Sequence, residues 1–312
     1  MARRRSVAVA GPPRISGQLV LRLVLVFLIL VVVIFLALAG VGAGLTYYVT
    51  TTTNTQESVN PQNYLVSSSI SLNFTDRSGG EHEGWLLLGL RGAPVIILCH
   101  GYDSNRSDLL SLGSVLRDNH YNVYLFNFHG PKARESRSNL GSRQASDLMA
   151  AIETVTKQPD VNPSRVGLYG TSVGGYAALV AAEMNPKVKT LVVDTTYSTP
   201  ERMFDSQIER LLGGSSRLFY GLAEAEFHLA STGGETYAMP ANLPKLANIP
   251  KLFISGRDNP PLAAMTEALY EQAPQPKQLL VMEHSQAGLA EKKEYDDQVL
   301  NFYLQNLSLR AD

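Results

Sequence analysis

The stretch "LYGTSVGGYAALVAAE", residues 168–183, sets a serine between two glycines, with a short apolar run before it and an alanine-rich segment after it. The apolar run reads as a strand and the alanine-rich segment as a helix. Gly170-Thr171-Ser172-Val173-Gly174 fills the turn between them and matches G-x-S-x-G in the strand–turn–helix setting that gives this pattern meaning. So sharp a reversal crowds the residues two places either side of the serine, and glycine is what such crowding tolerates. The serine is then lifted above the sheet, in strained backbone, beside a helix N-terminus. An isolated match is common, and an ordinary tight turn is the alternative, so the surroundings decide.

Outward from this turn, β-branched apolar runs alternate with helical periodicity. Residues 64–74 and 84–90 read as leading antiparallel strands, and "PVIILC" (94–99) as a strand buried on both faces. A helix over 107–118, a strand over 121–128 and a helix over 145–158 lead to the strand at 165–170 and the helix after Ser172. Strands at 189–194, 250–256 and 277–283, and helices at 261–272 and about 289–307, complete the pattern. Such alternation predicts an α/β fold of right-handed βαβ units, a mostly parallel central sheet with helices on both faces. Sites in such sheets form at the carboxyl ends of the strands.

A serine nucleophile needs a base and an acid that orients the base. Of the six histidines, His284 follows the last strand in "LLVMEHSQAGL", at the edge where Ser172 also lies. His82, His120 and His228 read as surface or core-edge residues, and His129 in "NFHGPK" is the rival base. For the acid, Asp258 in "FISGRDNPP" directly follows the penultimate strand, and Asp194 at the end of "TLVVD" is the alternative. Asp103 reads as a loop hydrogen-bonder and Asp147 as a helix residue, while strand alternation points Glu283 away from its neighbour His284. The single cysteine, Cys99, closes an apolar run and reads as a core residue.

The elbow, with the chain order Ser172, Asp258, His284, resembles the α/β-hydrolase superfamily over roughly residues 64–308. "LCHGYDSNRSDL" is similar to its oxyanion loop after the third strand, and "ISGRD" and "EHSQAG" to its acid and histidine loops. The whole resembles the branch of membrane-associated α/β-hydrolase-domain proteins and serine-aminopeptidase-like hydrolases. The resemblance implies an oxyanion hole from the backbone N–H groups of Tyr102 and Val173, and a structural role for His100. Two departures stand out: the acid follows Gly256 as G-x-D rather than G-x-x-D, and the loop after the fourth strand reads "NFHGPKARES". Residues 197–248 are too long for a plain connection and read as a helical cap over the pocket, with a surface insertion as the alternative.

The chain of 312 residues, 45% hydrophobic, is long enough for one large domain with an appendage, and its net charge of -1 leaves no electrostatic footprint for nucleic acid. The appendage is the N-terminus. Residues 23–45 carry no charge and read as a transmembrane helix. Arg3, Arg4, Arg5, Arg14 and Arg22 precede it, and no Lys or Arg occurs in 45–76, so residues 1–22 are expected in the cytoplasm and the domain outside it. A signal peptide cleaved after "ALA" (37–39), leaving a secreted protein, is the alternative. Residues 46–63 read as a polar stalk, and 64–308 as the hydrolase domain.

The sequence therefore points to a membrane-anchored serine hydrolase that cleaves a carboxylic ester or related acyl bond of a small-molecule or lipid substrate. Ser172 attacks, His284 moves the proton and Asp258 orients the imidazole. No metal cluster, Walker motif or dinucleotide fingerprint is evident, so neither a metal nor a cofactor is expected. A serine peptidase, an acyltransferase and a non-catalytic binding module on the same fold stay open.

Overall fold

Every residue of Ala93–Cys99 and of Asn122–Phe126 is buried, as strands covered by helices on both faces must be. The structure is a computed structural model that describes residues 16–53, 57–64, 68–128, 135–137, 140–213, 217–231, 243–285 and 291–309. In chain order come α1 (Gly17–Thr50), β1 (Thr51–Thr53), β2 (Ser69–Ser71), β3 (Phe74–Thr75), β4 (Glu81–His82), β5 (Gly84–Leu87) and β6 (Ala93–Cys99). Then follow α2 (Leu110–Asp118), β7 (Asn122–Phe126), β8 (Glu135–Arg137), α3 (Ser142–Val155), β9 (Val161–Thr171) and α4 (Val173–Met184). The chain continues through β10 (Val188–Asp194), α5 (Pro200–Leu212), α6 (Arg217–Ser231), β11 (Lys251–Gly256), α7 (Pro260–Gln272), β12 (Lys277–Met282) and α8 (Lys292–Asn306).

The main sheet has the order β12-β11-β10-β9-β6-β7-β5-β2. From β12 to β7 neighbouring strands are parallel, and β5 and β2 add an antiparallel edge. Alternation along β6 sorts its side chains: Val95, Ile97 and Cys99 join the core under α3, α4 and α7, and Ile96 and Leu98 the core under α2 and α8. The C-terminal helix α8 closes the second face by hydrogen bonds as well as packing. Tyr303 Oη donates to the Leu168 carbonyl on β9 at 2.7 Å, and Tyr121 Oη donates to the Leu307 carbonyl at 2.8 Å.

Three departures from the sequence reading have physical causes. The strand expected over 64–74 is broken: β2 joins the main sheet, while β3 pairs with β4 in a separate two-stranded ribbon. The ribbon turns through Asp76, whose Oδ1 accepts from the Ser78 and Gly80 N–H groups at 2.7 and 2.8 Å. Second, α1 runs past both ends of the expected span, so that Thr46–Thr50, read as the start of a stalk, form its last turn. Thr50 Oγ1 satisfies itself on the Thr46 carbonyl at 2.7 Å, which lets a polar residue end a helix. Third, part of the stalk is docked: Glu57 pairs with the buried Arg106 guanidinium at 2.7 Å, and Arg106 lies over the Trp85 ring at 3.8 Å.

α1 is long and apolar enough, by length and composition, to cross a membrane. The segment read as a cap contains α5 and α6, joined by Phe204 stacked on Phe227 with ring centroids 4.4 Å apart. Residues 214–216 and 232–242 of that segment, His129, and most of the 127–136 loop lie outside the described residues.

Candidate active site

Ser172 stands between the end of β9 and the first residue of α4, with φ 49° and ψ -116°. For a residue with a side chain this is strained backbone, held in place only because its surroundings determine it. The glycines explain how. A Cβ on Gly170 would collide with the Gly174 carbonyl, and one on Gly174 would lie 2.5 Å from the carbonyl oxygens of Cys99 and His100. The elbow is therefore wedged against the end of β6, and backbone atoms on both sides leave no room for relaxation. Its carbonyl accepts from the Tyr176 N–H at 3.1 Å and from Thr196 Oγ1 at 2.8 Å, and its own N–H donates to the Asp194 carbonyl at 3.0 Å.

The loop after β6 sits on this elbow. A Cβ on Gly101 would be 3.5 Å from Ser172 Cβ and 3.3 Å from Thr171 Cγ2. Tyr102 is next in that loop, and Val173 opens α4, where a helix has no partner for its first N–H groups. The two N–H groups named as an oxyanion hole thus belong to segments in contact around Ser172. His100 is buried with both ring nitrogens engaged: Nδ1 donates to the Gly101 carbonyl at 3.0 Å, and Nε2 accepts from the Phe128 N–H at 3.2 Å. It shapes the loop and has no ring nitrogen left for proton transfer.

The acid and histidine loops are joined to each other. β11 and β12 pair as far as Gly256 and Met282, after which the Arg257 N–H donates to the Met282 carbonyl at 3.0 Å and the Asp258 N–H to the Glu283 carbonyl at 3.1 Å. The Asp258 carboxylate accepts from the Ser285 N–H at 2.9 Å and from Ser285 Oγ at 3.2 Å. His284 is exposed, and among the described residues no hydrogen bond joins it to Asp258 or Ser172. Register brings Thr171, Asp194, Gly256 and Met282 to one edge of four neighbouring strands, so all three residues lie at that edge without forming a linked triad.

Asp194, the alternative acid, is fully buried. Its carboxylate accepts from Tyr295 Oη and Thr195 Oγ1, both at 2.7 Å, and Tyr169 Oη donates to Tyr295 Oη at 2.7 Å. Burial and the Asp194 charge push the Tyr169 and Tyr295 hydroxyls well above their usual range, so both stay protonated donors. This network braces the strand ends behind the elbow. Cys99 is buried among apolar side chains, and burial pushes its thiol up.

A second polar cluster escapes sequence reading. His82, read as a surface or core-edge residue, is buried and stacked on Phe74 with ring centroids 4.7 Å apart. Its Nε2 lies 3.1 Å from Asp76 Oδ2 and 3.8 Å from Asp147 Oδ1, and its Nδ1 donates to the Asn127 carbonyl at 2.9 Å. Potential metal-binding atoms of these three residues lie within 4.8 Å of one another. Burial pushes the Asp147 carboxyl up to about 7 against the pull of His82. Burial also acts to raise Asp76, but hydrogen bonds from the Ser78 hydroxyl, His82 and the Gly80 and Ser78 N–H groups outweigh it and bring that carboxyl down to about 2. Asp147 is read as a helix residue from the sequence, but nothing local brings that helix against His82, which the Phe74↔His82 pairing sets in place.

Comparison with known proteins places these observations. Residues 114–207, which include the elbow, match the prolyl oligopeptidase family. The protein YfhR of Escherichia coli, uncharacterised, is 28% identical over 254 residues, covering 77% of this chain and 82% of that relative. A thiohydrolase of Aspergillus aculeatus is 24% identical over 123 residues, 38% of this chain and 39% of its own. Among solved structures, an esterase of Pyrococcus furiosus superposes with a TM-score of 0.63 at 18% identity, over 82% of this chain and 99% of that one. A dienelactone hydrolase of Anabaena variabilis gives 0.56 at 20% identity, over 77% and 98%.

Proposed function

We propose that the chain, which has the fold of the esterase and dienelactone hydrolase structures, is a membrane-anchored serine hydrolase of the α/β-hydrolase superfamily that cleaves a carboxylic ester or related acyl bond. The observation that carries this reading is the strained Ser172 elbow, wedged by Gly170 and Gly174 and roofed by Gly101. Strained backbone of this kind clusters at functional sites, and Ser172 lies at the sheet edge where ligands bind.

In this reading Ser172 Oγ attacks the carbonyl carbon while its proton passes to the imidazole of His284. The carbonyl electron pair moves onto oxygen, where the Tyr102 and Val173 N–H groups hold the oxyanion. Such donors are each worth about 3–4 kcal/mol. When the carbonyl re-forms, the bond to the leaving alcohol breaks and His284 returns the proton to that alcohol. Water then attacks the acyl-enzyme and gives its proton to His284. The acid leaves, and Ser172 regains its proton. The imidazole must turn inward from its exposed position for this sequence, and catalytic hydrogen bonds commonly close only around substrate. Asp258 supports its orientation because its loop is hydrogen-bonded to the histidine loop on both backbone and side chain.

The match of residues 114–207 to a peptidase family favours a second reading, a serine peptidase using the same nucleophile. A fluorophosphonate probe, followed by an ester and a peptide panel, tests both. Labelling of the parent but not of Ser172→Ala is expected; equal labelling of the two removes Ser172 from the chemistry. For topology, protease added outside intact cells should release the domain if the arginines before α1 lie inside. Full protection would reverse the orientation, and a soluble protein starting near Gly40 would mean cleavage.

A further inference from the structure

The last two turns of α1 are built into the domain. Gly42, Thr46, Val49 and Thr50 are buried, a stripe at helical spacing, whereas Tyr47 and Tyr48 between them are exposed. A Cβ on Gly42 would lie 3.1 Å from the Leu222 carbonyl oxygen on α6, so α1 and α6 approach as closely as a small residue permits. Thr46 Oγ1 donates to the Ala223 carbonyl at 2.9 Å, and Tyr102 Oη donates to the Val49 carbonyl at 2.7 Å. One helix end thus touches both the cap and the loop that carries an oxyanion-hole N–H.

The rest of α1 fixes the height of these contacts. Residues 23–41, uncharged and exposed almost throughout, extend roughly 28 Å at about 1.5 Å per residue, close to the thickness of a hydrocarbon core of about 30 Å. Tyr47 and Tyr48, the latter 65% exposed, have the amphipathic rings that settle at a membrane–water interface. The carbonyl that receives Tyr102 belongs to the next residue, Val49, about 10 Å along the helix from Gly42. With α1 placed across a bilayer in this way, the loop roofing Ser172 stands at its surface; α5 and α6 each carry an exposed leucine, Leu211 and Leu229.

On the serine-hydrolase and membrane-span reading above, we propose that the end of α1 holds the cap and the Tyr102 loop at the bilayer surface, so that the substrate is a long-chain acyl ester drawn from the adjoining leaflet. An acyl carbonyl at the lipid interface then has only the headgroup layer to cross before it reaches Ser172, with its chain still in hydrocarbon.

The experiment uses the full chain in phosphatidylcholine vesicles containing a long-chain monoacylglycerol, with water-soluble p-nitrophenyl acetate as reference. Gly42→Leu forces α1 off α6; Thr46→Val removes one hydroxyl and keeps the shape, so it is the variant expected to fold. The parent should hydrolyse both esters. The variants should lose about tenfold on the monoacylglycerol, since misplacement of a remote support costs rate on the substrate it positions, and change less than about twofold on p-nitrophenyl acetate. Equal losses on both esters would make the α1–α6 contact merely structural and overturn the inference. So would parental rates in the variants, or a parent that cleaves a vesicle-bound palmitoylated peptide or p-nitrophenyl acetate but not the monoacylglycerol. A parent inert to p-nitrophenyl acetate and unlabelled by fluorophosphonate would instead sink the hydrolase reading, and this inference with it.

Discussion

The Asp258 carboxylate is held by Ser285, through its N–H at 2.9 Å and its hydroxyl at 3.2 Å, and not by the adjacent His284. Two roles compete for Asp258, closing a turn and orienting a base. Asp258→Asn keeps one carbonyl acceptor for the Ser285 N–H but favours the wrong imidazole tautomer. It should lower kcat by up to about 10⁴ with the melting temperature nearly parental. Ser285→Ala, which frees one carboxylate oxygen, should leave kcat/KM on an activated ester within a few-fold. A silent Asp258→Asn would reduce Asp258 to a turn former.

Asp194 makes the complementary case. Its carboxylate takes hydroxyl hydrogen bonds from Tyr295 and Thr195 in full burial. Asp194→Asn offers an amide N–H₂ to one of those donors and should cost about 1–3 kcal/mol of stability. The readout is denaturant unfolding, with kcat per folded, labelled enzyme little changed. A crippled kcat in a protein of parental stability would move the acid to β10.

The elbow tolerates no side chain at its two glycines. Gly170→Ala and Gly174→Ala place a Cβ against backbone oxygens of Gly174 in the first case and of Cys99 and His100 in the second. Each should destabilise by about 1–3 kcal/mol or more and abolish probe labelling at Ser172. Full labelling of either variant would mean that the turn is softer than its packing implies.

The buried cluster around His82 should imprint itself on the pH dependence of stability. Asp147, pushed up to about 7, holds a proton in the fold that the unfolded chain releases near its ordinary value. Its contribution is therefore full at low pH and lost as pH rises toward 7. Asp76, drawn down to about 2, does the reverse: it stabilises above the ordinary carboxylate range, and that contribution fades as pH falls toward 2. Asp147→Asn, always neutral, should flatten the melting-temperature profile between pH 4 and 7. An unchanged slope would mean that Asp147 ionises normally in the fold.

How much of this was legible in the sequence depended on whether a signal was local. The elbow was legible because Gly170, Ser172 and Gly174 sit within five residues between a strand and a helix. The edge location of Asp258 and His284 followed from the strands before them, but the direction of their side chains did not, because Ser285 competes for the same carboxylate. The β3–β4 ribbon escaped because strands of two residues carry no periodicity. His82 escaped with it, since its partner Asp147 lies on a helix 65 residues away in the chain. The buried end of α1 escaped because Thr46 and Thr50 look like stalk residues until α6, 177 residues later, supplies the Ala223 carbonyl.

The way α8 closes the sheet bears on the order in which the protein is made. Tyr303 reaches Leu168, and Tyr295 links Asp194 to Tyr169, three residues before Ser172. Translation delivers α1 first and α8 last, at about 5–20 residues per second. α1 is therefore complete long before the strand that presents Ser172 has its final brace. Until α8 has emerged and docked, the end of β9 lacks the tyrosine hydrogen bonds that brace it behind the Ser172 turn, so the elbow is among the last features of the fold to be fixed.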